Sequence, residues 1–204
     1  MWQNLKNLYH LSQAFFAALY FNFPSKKIIV IGVTGTDGKT TTVNMIYHIL
    51  KTAGKKVSMI SSVNAIVGNE TFDTGFHVST PNPWQVQKFL RKAVDAKNQY
   101  FVLETTSHGL DQNRLAFVNF IVAVLTNITH EHLDYHKTYE NYRNAKLKLF
   151  KNVKFSIINA DDNSYNYAKN HVSGKVITYA QKGKGDYNLS NALAAIATTS
   201  ALGI

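Results

Sequence analysis

Residues 28–41 read IIVIGVTGTDGKTT, an apolar run followed by a glycine-rich loop and the start of a helical pattern. The continuous β-branched run predicts a buried strand of a parallel sheet. Glycines let the next residues fold around an anion with their N–H groups pointing inward. A helix over Lys39–Thr52 would add its positive N-terminus. The segment therefore predicts a phosphate site between a strand and a helix.

The spacing inside this loop is Gly35-x-x-Gly38-Lys39-Thr40. It is shorter than the strict phosphate-loop pattern, which requires glycine where Val33 stands. We expect Lys39 to reach the β- and γ-phosphates of a nucleotide and the Thr40 hydroxyl to bind Mg²⁺. The alternative is a glycine-rich turn with a surface lysine, but strand, loop and helix agree with one another.

Strands and helices alternate along the rest of the chain, which predicts an α/β fold with a mostly parallel sheet covered by helices on both faces. The apolar patterns and turn residues predict strands at 28–33, 57–61, 100–104, 121–126, 155–159 and 176–179, a hairpin at 66–72, and helices at 39–52, 84–96, 138–150, 163–170 and 189–202.

An amphipathic pattern precedes the phosphate loop at residues 3–21. Its apolar positions recur with helical spacing at Leu5, Leu8, Leu11, Phe15 and Leu19. We expect a helix packed on the main domain, with a membrane-surface or partner-binding helix as the alternative. The predicted organisation is a helical segment at 1–26 and one nucleotide-binding domain at 27–204.

Composition limits the partners and the location. The 204 residues include no cysteine, which excludes disulfides and thiolate metal sites. The net charge of +10 favours anionic partners, yet the lysines are scattered, so we expect no nucleic acid. The longest apolar stretch, 14–23, is too short for a bilayer. We expect a cytoplasmic protein without a transmembrane segment.

Two segments carry candidate metal ligands. Glu104 ends a predicted strand, where ligands of α/β sheets gather, and its carboxylate suits Mg²⁺; a surface glutamate is the alternative. Residues 126–136 hold three histidines and two carboxylates after the next strand. Their i, i+2, i+6 histidine spacing does not match the usual zinc patterns. One histidine helping to hold a second Mg²⁺ is the preferred interpretation.

Taken together, these segments resemble the central ATPase domain of the Mur ligases, most closely the UDP-N-acetylmuramoyl-tripeptide synthetase type, with folylpolyglutamate synthases as more distant relatives. The motifs, in order, are Thr34-Gly-Thr-Asp-Gly-Lys-Thr40, Ser79-Thr-Pro81, Glu104-Thr-Thr-Ser-His-Gly-Leu110 with Gln112 and Arg114, Thr126-Asn127 through His136, Tyr142-Arg-Asn-Ala-Lys146, and the weaker Asn159-Ala-Asp-Asp162 and Asn188-Leu-Ser-Asn-Ala-Leu-Ala-Ala195.

The resemblance implies an ATP-dependent ligase of peptidoglycan synthesis. ATP would phosphorylate a carboxylate of a UDP-N-acetylmuramoyl peptide, and the amine of an incoming amino acid would displace the phosphate. Charge neutralisation between two anions would require a lysine and Mg²⁺.

The resemblance also implies roles for individual residues. Lys39, Lys146 and His132 would be catalytic, with Lys146 carbamylated by CO₂ into an anionic oxygen ligand; a solvated helix lysine is the alternative. The implied metal ligands are Thr40, Glu104, His132 and Lys146. The implied nucleotide contacts are Gly35, Thr36, Asp37, Gly38, Lys39, Thr40, Thr41, Asn188 and Asn191. The implied contacts to the muramoyl substrate are Ser79, Thr80, Thr106, Gln112 and Arg114.

Some features depart from the family pattern. Asp37 and Glu131 stand where the family usually has asparagine and aspartate, and the stretch 162–188 is short. The usual uridine-binding and C-terminal domains are not recognised, so we expect these residues alone to be inactive in ligation unless a partner domain or chain supplies the C-terminal function. A non-ligating nucleotide-binding regulatory or scaffold module and a folylpolyglutamate synthase-like ligase are the alternative functions.

Overall fold

One eight-stranded sheet organises the molecule, in a computed structural model that describes residues 2–68, 70–73, 80–181 and 185–204. The strands are β1 (Ile29–Thr34), β2 (Val57–Ile60), β3 (Asn64–Val67), β4 (Glu70–Asp73), β5 (Tyr100–Glu104), β6 (Phe120–Leu125), β7 (Phe155–Asn159) and β8 (Lys175–Tyr179). Their order across the sheet is β4-β3-β2-β5-β1-β6-β7-β8.

The helices are α1 (Trp2–Tyr20), α2 (Lys39–Thr52), α3 (Pro83–Asp95), α4 (Ser107–Asp111), α5 (Leu133–His136), α6 (Tyr139–Leu147), α7 (Tyr165–His171) and α8 (Tyr187–Ala201). Helices α2 and α8 pack on one face of the sheet, and α3, α6 and α7 pack on the other. Among the described residues, no helix is both long and apolar enough to cross a membrane.

The α/β fold predicted from the sequence is confirmed. Strands β2, β5, β1, β6, β7 and β8 pair in parallel, and β3 and β4 form the expected antiparallel hairpin. Asn69, expected in the hairpin turn, lies outside the described residues. The predicted helix at 138–150 was too long, because its last residues, Lys148–Phe150, form a 3₁₀ turn. The sequence reading missed α4 and α5, which are too short to show a helical period.

The N-terminal helix exists, but its predicted apolar stripe does not form its contact face. Helix α1 packs against α3, and its fully buried residues are Ala14, Ala17 and Ala18. By contrast, Leu8 is 61% exposed, and Leu5, Phe15 and Leu19 are exposed as well. Small side chains let the two helices approach closely, so the alanine face is buried instead of the larger apolar one.

Parallel pairing places the carboxyl ends of β5, β1 and β6 side by side at one edge of the sheet. Thr34, Glu104 and Leu125 end these three strands. Strand β1 is flanked by β5 on one side and β6 on the other, so the chain order reverses about it. Ligands of α/β sheets bind at such a point, and the loops that follow these strands carry the predicted motifs.

Candidate functional site

The loop after β1 has the geometry of an anion cradle. It turns sharply at Gly38, which has φ +77° and is the N-cap residue just before α2. A side chain at this position would overlap the amide of Asn191, so only glycine fits. The first N–H groups of α2 have no partner within the helix, and the positive end of the helix points at the same place.

Two residues that follow β6 hold this loop in place through hydrogen bonds. The Thr126 hydroxyl donates to the Asp37 carbonyl (2.6 Å), and the Asn127 amide nitrogen donates to the same oxygen (3.1 Å). In return, the Asp37 N–H donates to the Asn127 side-chain oxygen (2.9 Å), and the Thr36 N–H donates to the Asn127 carbonyl (2.9 Å). Thr126 and Asn127 therefore fix the shape of the loop.

Two of the predicted metal ligands are in direct contact. The Thr40 hydroxyl donates to Glu104 Oε2 (2.9 Å), and the Ser62 N–H donates to the same oxygen (2.9 Å). Thr40 Oγ1 and Ser62 Oγ lie 2.9 Å apart. Glu104 is buried and forms no ion pair with the described residues. A buried carboxylate between two hydroxyls offers the oxygen ligands that Mg²⁺ prefers.

Two lysines hold consecutive carbonyls of the loop. Lys39 Nζ donates to Thr36 O (2.6 Å), and Lys146 Nζ donates to Gly35 O (2.6 Å). Lys146 is only 2% exposed, and no described carboxylate pairs with it. Burial, reinforced by the positive charge of Lys39, holds the pKa of Lys146 well below its usual value. The neutral amine, the form that reacts with CO₂, is therefore favoured.

Tyr142 joins Lys146 to the loop. Its ring lies 4.3 Å from Lys146 Nζ, and its hydroxyl lies 3.1 Å from Thr36 Oγ1. Burial raises the pKa of Tyr142 to about 12, so the phenol stays protonated. The sequence motif gave this residue no role of its own, although its spacing of four residues from Lys146 places both side chains on one helical face.

Of the three histidines after β6, His132 and His136 lie against the His108 ring, with ring centroids 5.0 and 5.4 Å from it. His132 is half exposed and starts α5 with φ +54°, and its Nε2 lies 3.8 Å from Glu131 Oε2. His136 is buried beside the Ser107 hydroxyl (3.0 Å), and burial lowers the pKa of its imidazole to about 4. His130 stacks on Tyr139. Within the described residues, no three His, Asp or Glu side chains are grouped in a way that could hold a metal ion.

Four of the five predicted substrate contacts form one hydrogen-bonded cluster. Thr80 Oγ1 accepts from the Thr106 N–H (2.9 Å) and lies 3.0 Å from Thr106 Oγ1. Arg114 Nη1 donates to the Thr80 carbonyl (3.2 Å), and Arg114 Nε donates to Gln112 Oε1 (2.9 Å). Ser79 lies outside the described residues. Both of these acceptors of Arg114 are neutral oxygens, and burial lowers the pKa of its guanidinium.

A single cavity of about 390 Å³ joins the loop to this cluster. Lys39 and Arg114 contribute positive charge to its wall and no described acidic side chain lines it, so the cavity suits an anion. Its lining residues are Gly35, Lys39, Thr106, Ser107, His108, Gln112, Arg114, His132, Tyr142 and Lys146.

A second hollow of about 360 Å³ borders the loop and includes Asp37 and Asn127 in its wall. Helix α8 contributes Tyr187 and Ser190 to it. Of the two asparagines predicted to contact the nucleotide base, Asn191 is buried against the loop and accepts from the Thr42 hydroxyl (3.3 Å). Asn188 is exposed, and its N–H donates to the Asp186 carboxylate (2.8 Å). A direct contact of either side chain with the base stays a prediction.

Comparison with known sequences identifies the relatives of this chain. The Mur ligase middle domain family matches residues 33–185. A UDP-N-acetylmuramoyl-L-alanyl-D-glutamate–2,6-diaminopimelate ligase of Clostridium botulinum is 40% identical over 178 residues, which are 87% of this chain and 36% of that protein. A UDP-N-acetylmuramyl-tripeptide synthetase of Borrelia garinii subsp. bavariensis is 45% identical over 183 residues, 86% of this chain and 36% of that protein. The chain thus spans about a third of the length of these relatives.

Solved structures share the fold. A UDP-N-acetylmuramoyl-L-alanyl-D-glutamate–2,6-diaminopimelate ligase superposes with a TM-score of 0.75 at 23% identity, covering 87% of this chain and 44% of that one. The FolC protein of E. coli, in complex with DHPP and ADP, superposes with a TM-score of 0.72 at 19% identity, covering 95% of this chain and 58% of that one.

Proposed function

Since the chain belongs to the Mur ligase family through its middle domain, we propose that it uses ATP to activate a carboxylate for amide-bond formation in peptidoglycan synthesis. One observation carries the proposal: Lys39 of the phosphate loop and the Arg114–Gln112 pair line the same cavity. A phosphate donor and a carboxylate bound at these two ends would meet inside it. Residues 27–204 form the proposed ATP-binding domain, and 1–26 form the appended helical segment.

The proposed reaction has two steps. A carboxylate oxygen of the substrate attacks the γ-phosphorus of ATP, the bond from that phosphorus to the β,γ-bridging oxygen breaks, and ADP leaves. The amine of an amino acid then attacks the acyl carbon, loses a proton and displaces inorganic phosphate. Both steps bring anions together, so fixed positive charges aimed at the reacting oxygens would lower the barrier. Lys39 and Arg114 are the proposed sources of that charge.

The donor atoms present suit Mg²⁺, and we propose that Thr40 and Glu104 hold it. When bound, the ion would neutralise phosphate charge. Lys146 is proposed to carry a carbamate, because its amine is buried, has a lowered pKa and lies next to the loop. With His132, which lines the same cavity, the carbamate would supply ligands for a second ion.

The relatives point to the substrate. Their names specify UDP-N-acetylmuramoyl-L-alanyl-D-glutamate and 2,6-diaminopimelate, and we propose a UDP-muramoyl dipeptide as the carboxylate substrate and an amino acid as the amine. Ligation requires the amine to be oriented as well, a gain of roughly 7–11 kcal/mol for well-placed groups. We assign none of the described residues to orienting the amine, and we propose that the 204 residues alone catalyse only slow ATP cleavage.

The test is incubation of the 204-residue chain with Mg·ATP, UDP-muramoyl dipeptide and a mixture of amino acids, read as ADP formation and by mass spectrometry. We expect ADP formation that depends on the dipeptide and disappears in Lys39→Ala, with tripeptide formed only after a C-terminal domain is added in cis or in trans. ADP formation that is identical with and without the dipeptide would contradict carboxylate activation and support the nucleotide-binding module instead.

A further inference from the structure

A chain of four hydrogen bonds runs behind the substrate cluster and links three segments of the protein. Arg114 Nε donates to Gln112 Oε1 (2.9 Å), and Gln112 Nε2 donates to the Tyr135 hydroxyl (3.2 Å). The Tyr135 hydroxyl donates to Asp111 Oδ2 (3.1 Å), and Lys148 Nζ donates to Asp111 Oδ1 (2.7 Å). Tyr135 lies on α5, which follows the loop after β6, whereas Gln112 and Arg114 follow α4.

We call this chain of hydrogen bonds the relay. The groups at its two ends, the Arg114 guanidinium and the Asp111 carboxylate, fix which atom donates in each bond between them. A guanidinium can only donate and a carboxylate can only accept. Arg114 therefore requires the Gln112 oxygen to face it, which turns the amide nitrogen toward Tyr135. The phenol must then accept from Gln112 and give its own proton to Asp111.

The charges are arranged so that Arg114 stays uncompensated. Asp111, the carboxylate of the relay, forms an ion pair with Lys148. Arg114 itself is held by the Gln112 amide oxygen and the Thr80 carbonyl, both neutral. No described carboxylate forms an ion pair with Arg114. The guanidinium is therefore oriented without being neutralised, which leaves its charge available to an anion in the cavity.

We infer that Tyr135 is a positioning residue, which fixes the Gln112 amide and through it the Arg114 guanidinium in the orientation that receives the anionic substrate. Substituting phenylalanine would leave the Gln112 N–H₂ group without its phenol acceptor and the Asp111 carboxylate without its phenol donor. The amide could then rotate, and Arg114 would lose a fixed acceptor. A preorganised arginine binds its ligand without first giving up side-chain freedom.

The identity of the anion, a muramoyl-peptide carboxylate, rests on the proposed function, but the relay itself does not. Its direct test is the exchange rate of the Arg114 Nε–H proton in nitrogen-15 NMR of the 204-residue chain, with the resonance identified by its loss in Arg114→Lys. We expect Tyr135→Phe to accelerate this exchange about tenfold, because a hydrogen-bonded donor becomes accessible to water. Tyr139→Phe is the matched control, since its hydroxyl donates to the Ile128 carbonyl outside the relay.

A second measurement ties the relay to binding. In dipeptide-dependent ADP formation, Tyr135→Phe should raise KM for the UDP-muramoyl dipeptide about fivefold, as expected for a weakened hydrogen bond, and leave KM for ATP unchanged. If the substitution only disturbed the structure, KM for the dipeptide and KM for ATP would change together. If Tyr135→Phe fails to fold, Asp111→Ala removes the acceptor of the same phenol and should give the same acceleration of exchange.

The possible results distinguish the positioning role of Tyr135 from the proposed function. Unchanged exchange in Tyr135→Phe would overturn the positioning role. Faster exchange with an unchanged KM for the dipeptide would also overturn it, since Arg114 would then bind equally well when disordered. Faster exchange in a protein whose wild type shows no dipeptide-dependent ADP formation would sustain the relay and overturn the proposed function.

Discussion

At the phosphate loop, Lys39 and Lys146 donate to neighbouring carbonyls, but the two lysines lie in different environments. Lys39 stands on the first turn of α2, partly exposed, and can turn from Thr36 O toward a phosphate. Lys146 reaches Gly35 O from the buried face of α6. The sequence singled out both residues, but only the fold shows that Lys146 is buried whereas Lys39 is partly exposed.

Lys39→Ala should lower the affinity for Mg·ATP about tenfold or more, because a charge-assisted hydrogen bond contributes roughly 1.5–3 kcal/mol. Isothermal titration calorimetry measures this directly. Lys51→Ala, at the exposed end of the same helix, is the matched control and should bind as the wild type does. Equal affinity in Lys39→Ala and wild type would remove the phosphate-loop interpretation.

Lys146 should form a carbamate in carbon-13-labelled bicarbonate at about pH 8, where exposed lysines with a pKa near 10.4 remain almost wholly protonated. The pKa of Lys146 is lowered by burial, so as pH rises its amine loses its proton and becomes reactive at a lower pH than an ordinary lysine would. Carbon-13 NMR should show a carbamate signal that persists in Lys151→Ala and vanishes in Lys146→Ala. A signal of equal size in Lys146→Ala would place the adduct elsewhere.

The candidate site residues were predicted from the sequence because the types and order of the motif residues indicate the chemistry. Ser62 and Tyr135 could not be given their roles in this way. Ser62 meets Thr40 and Glu104 only because β2 lies next to β5 in the sheet. Tyr135 meets Gln112 only because α5 folds against α4, across 23 residues of chain. Both contacts are set by packing, which a local pattern does not encode.

Among the elements, the helical period of α1 was predicted correctly and its contact face was not. The period counts apolar residues, and the largest of them lie on the exposed side. Contact with α3 selects small side chains instead, so Ala17 is fully buried and Leu8 is 61% exposed. Strand positions were predicted more reliably, because strands of a parallel sheet are buried on both faces and read as continuous apolar runs.

Substitutions in α1 test this assignment of its faces. Ala17→Leu should destabilise the protein by about 1–3 kcal/mol, since extra methylene groups have no space in a packed contact. Leu8→Ala should change stability by less than about 0.5 kcal/mol, as surface substitutions usually do. Urea unfolding of both variants measures the difference. A larger loss in Leu8→Ala than in Ala17→Leu would show that the apolar stripe is the packed face.

For the molecule as a whole, the strand order places the predicted phosphate loop beside the hydrogen-bonded cluster of predicted substrate contacts. Strand β1 carries the loop, its neighbour β5 leads into Thr106 and α4, and β6 on the other side leads into His132. The alternation of strands and helices predicted a parallel sheet with ligands at its carboxyl edge. The cavity that joins the loop to the cluster could not be predicted from the sequence, because its walls come from four separate loops and helices.

The central claim is that ATP and a carboxylate meet in this cavity, and positional isotope exchange tests it most directly. ATP labelled with oxygen-18 in the β,γ-bridge is incubated with the chain, Mg²⁺ and UDP-muramoyl dipeptide, without any amino acid. If the carboxylate reversibly takes the γ-phosphate, the label should scramble into the non-bridging β-positions. We predict scrambling that requires the dipeptide and is lost in Lys39→Ala. Dipeptide bound in the cavity with no scrambling, or scrambling that is the same without the dipeptide, would contradict the account.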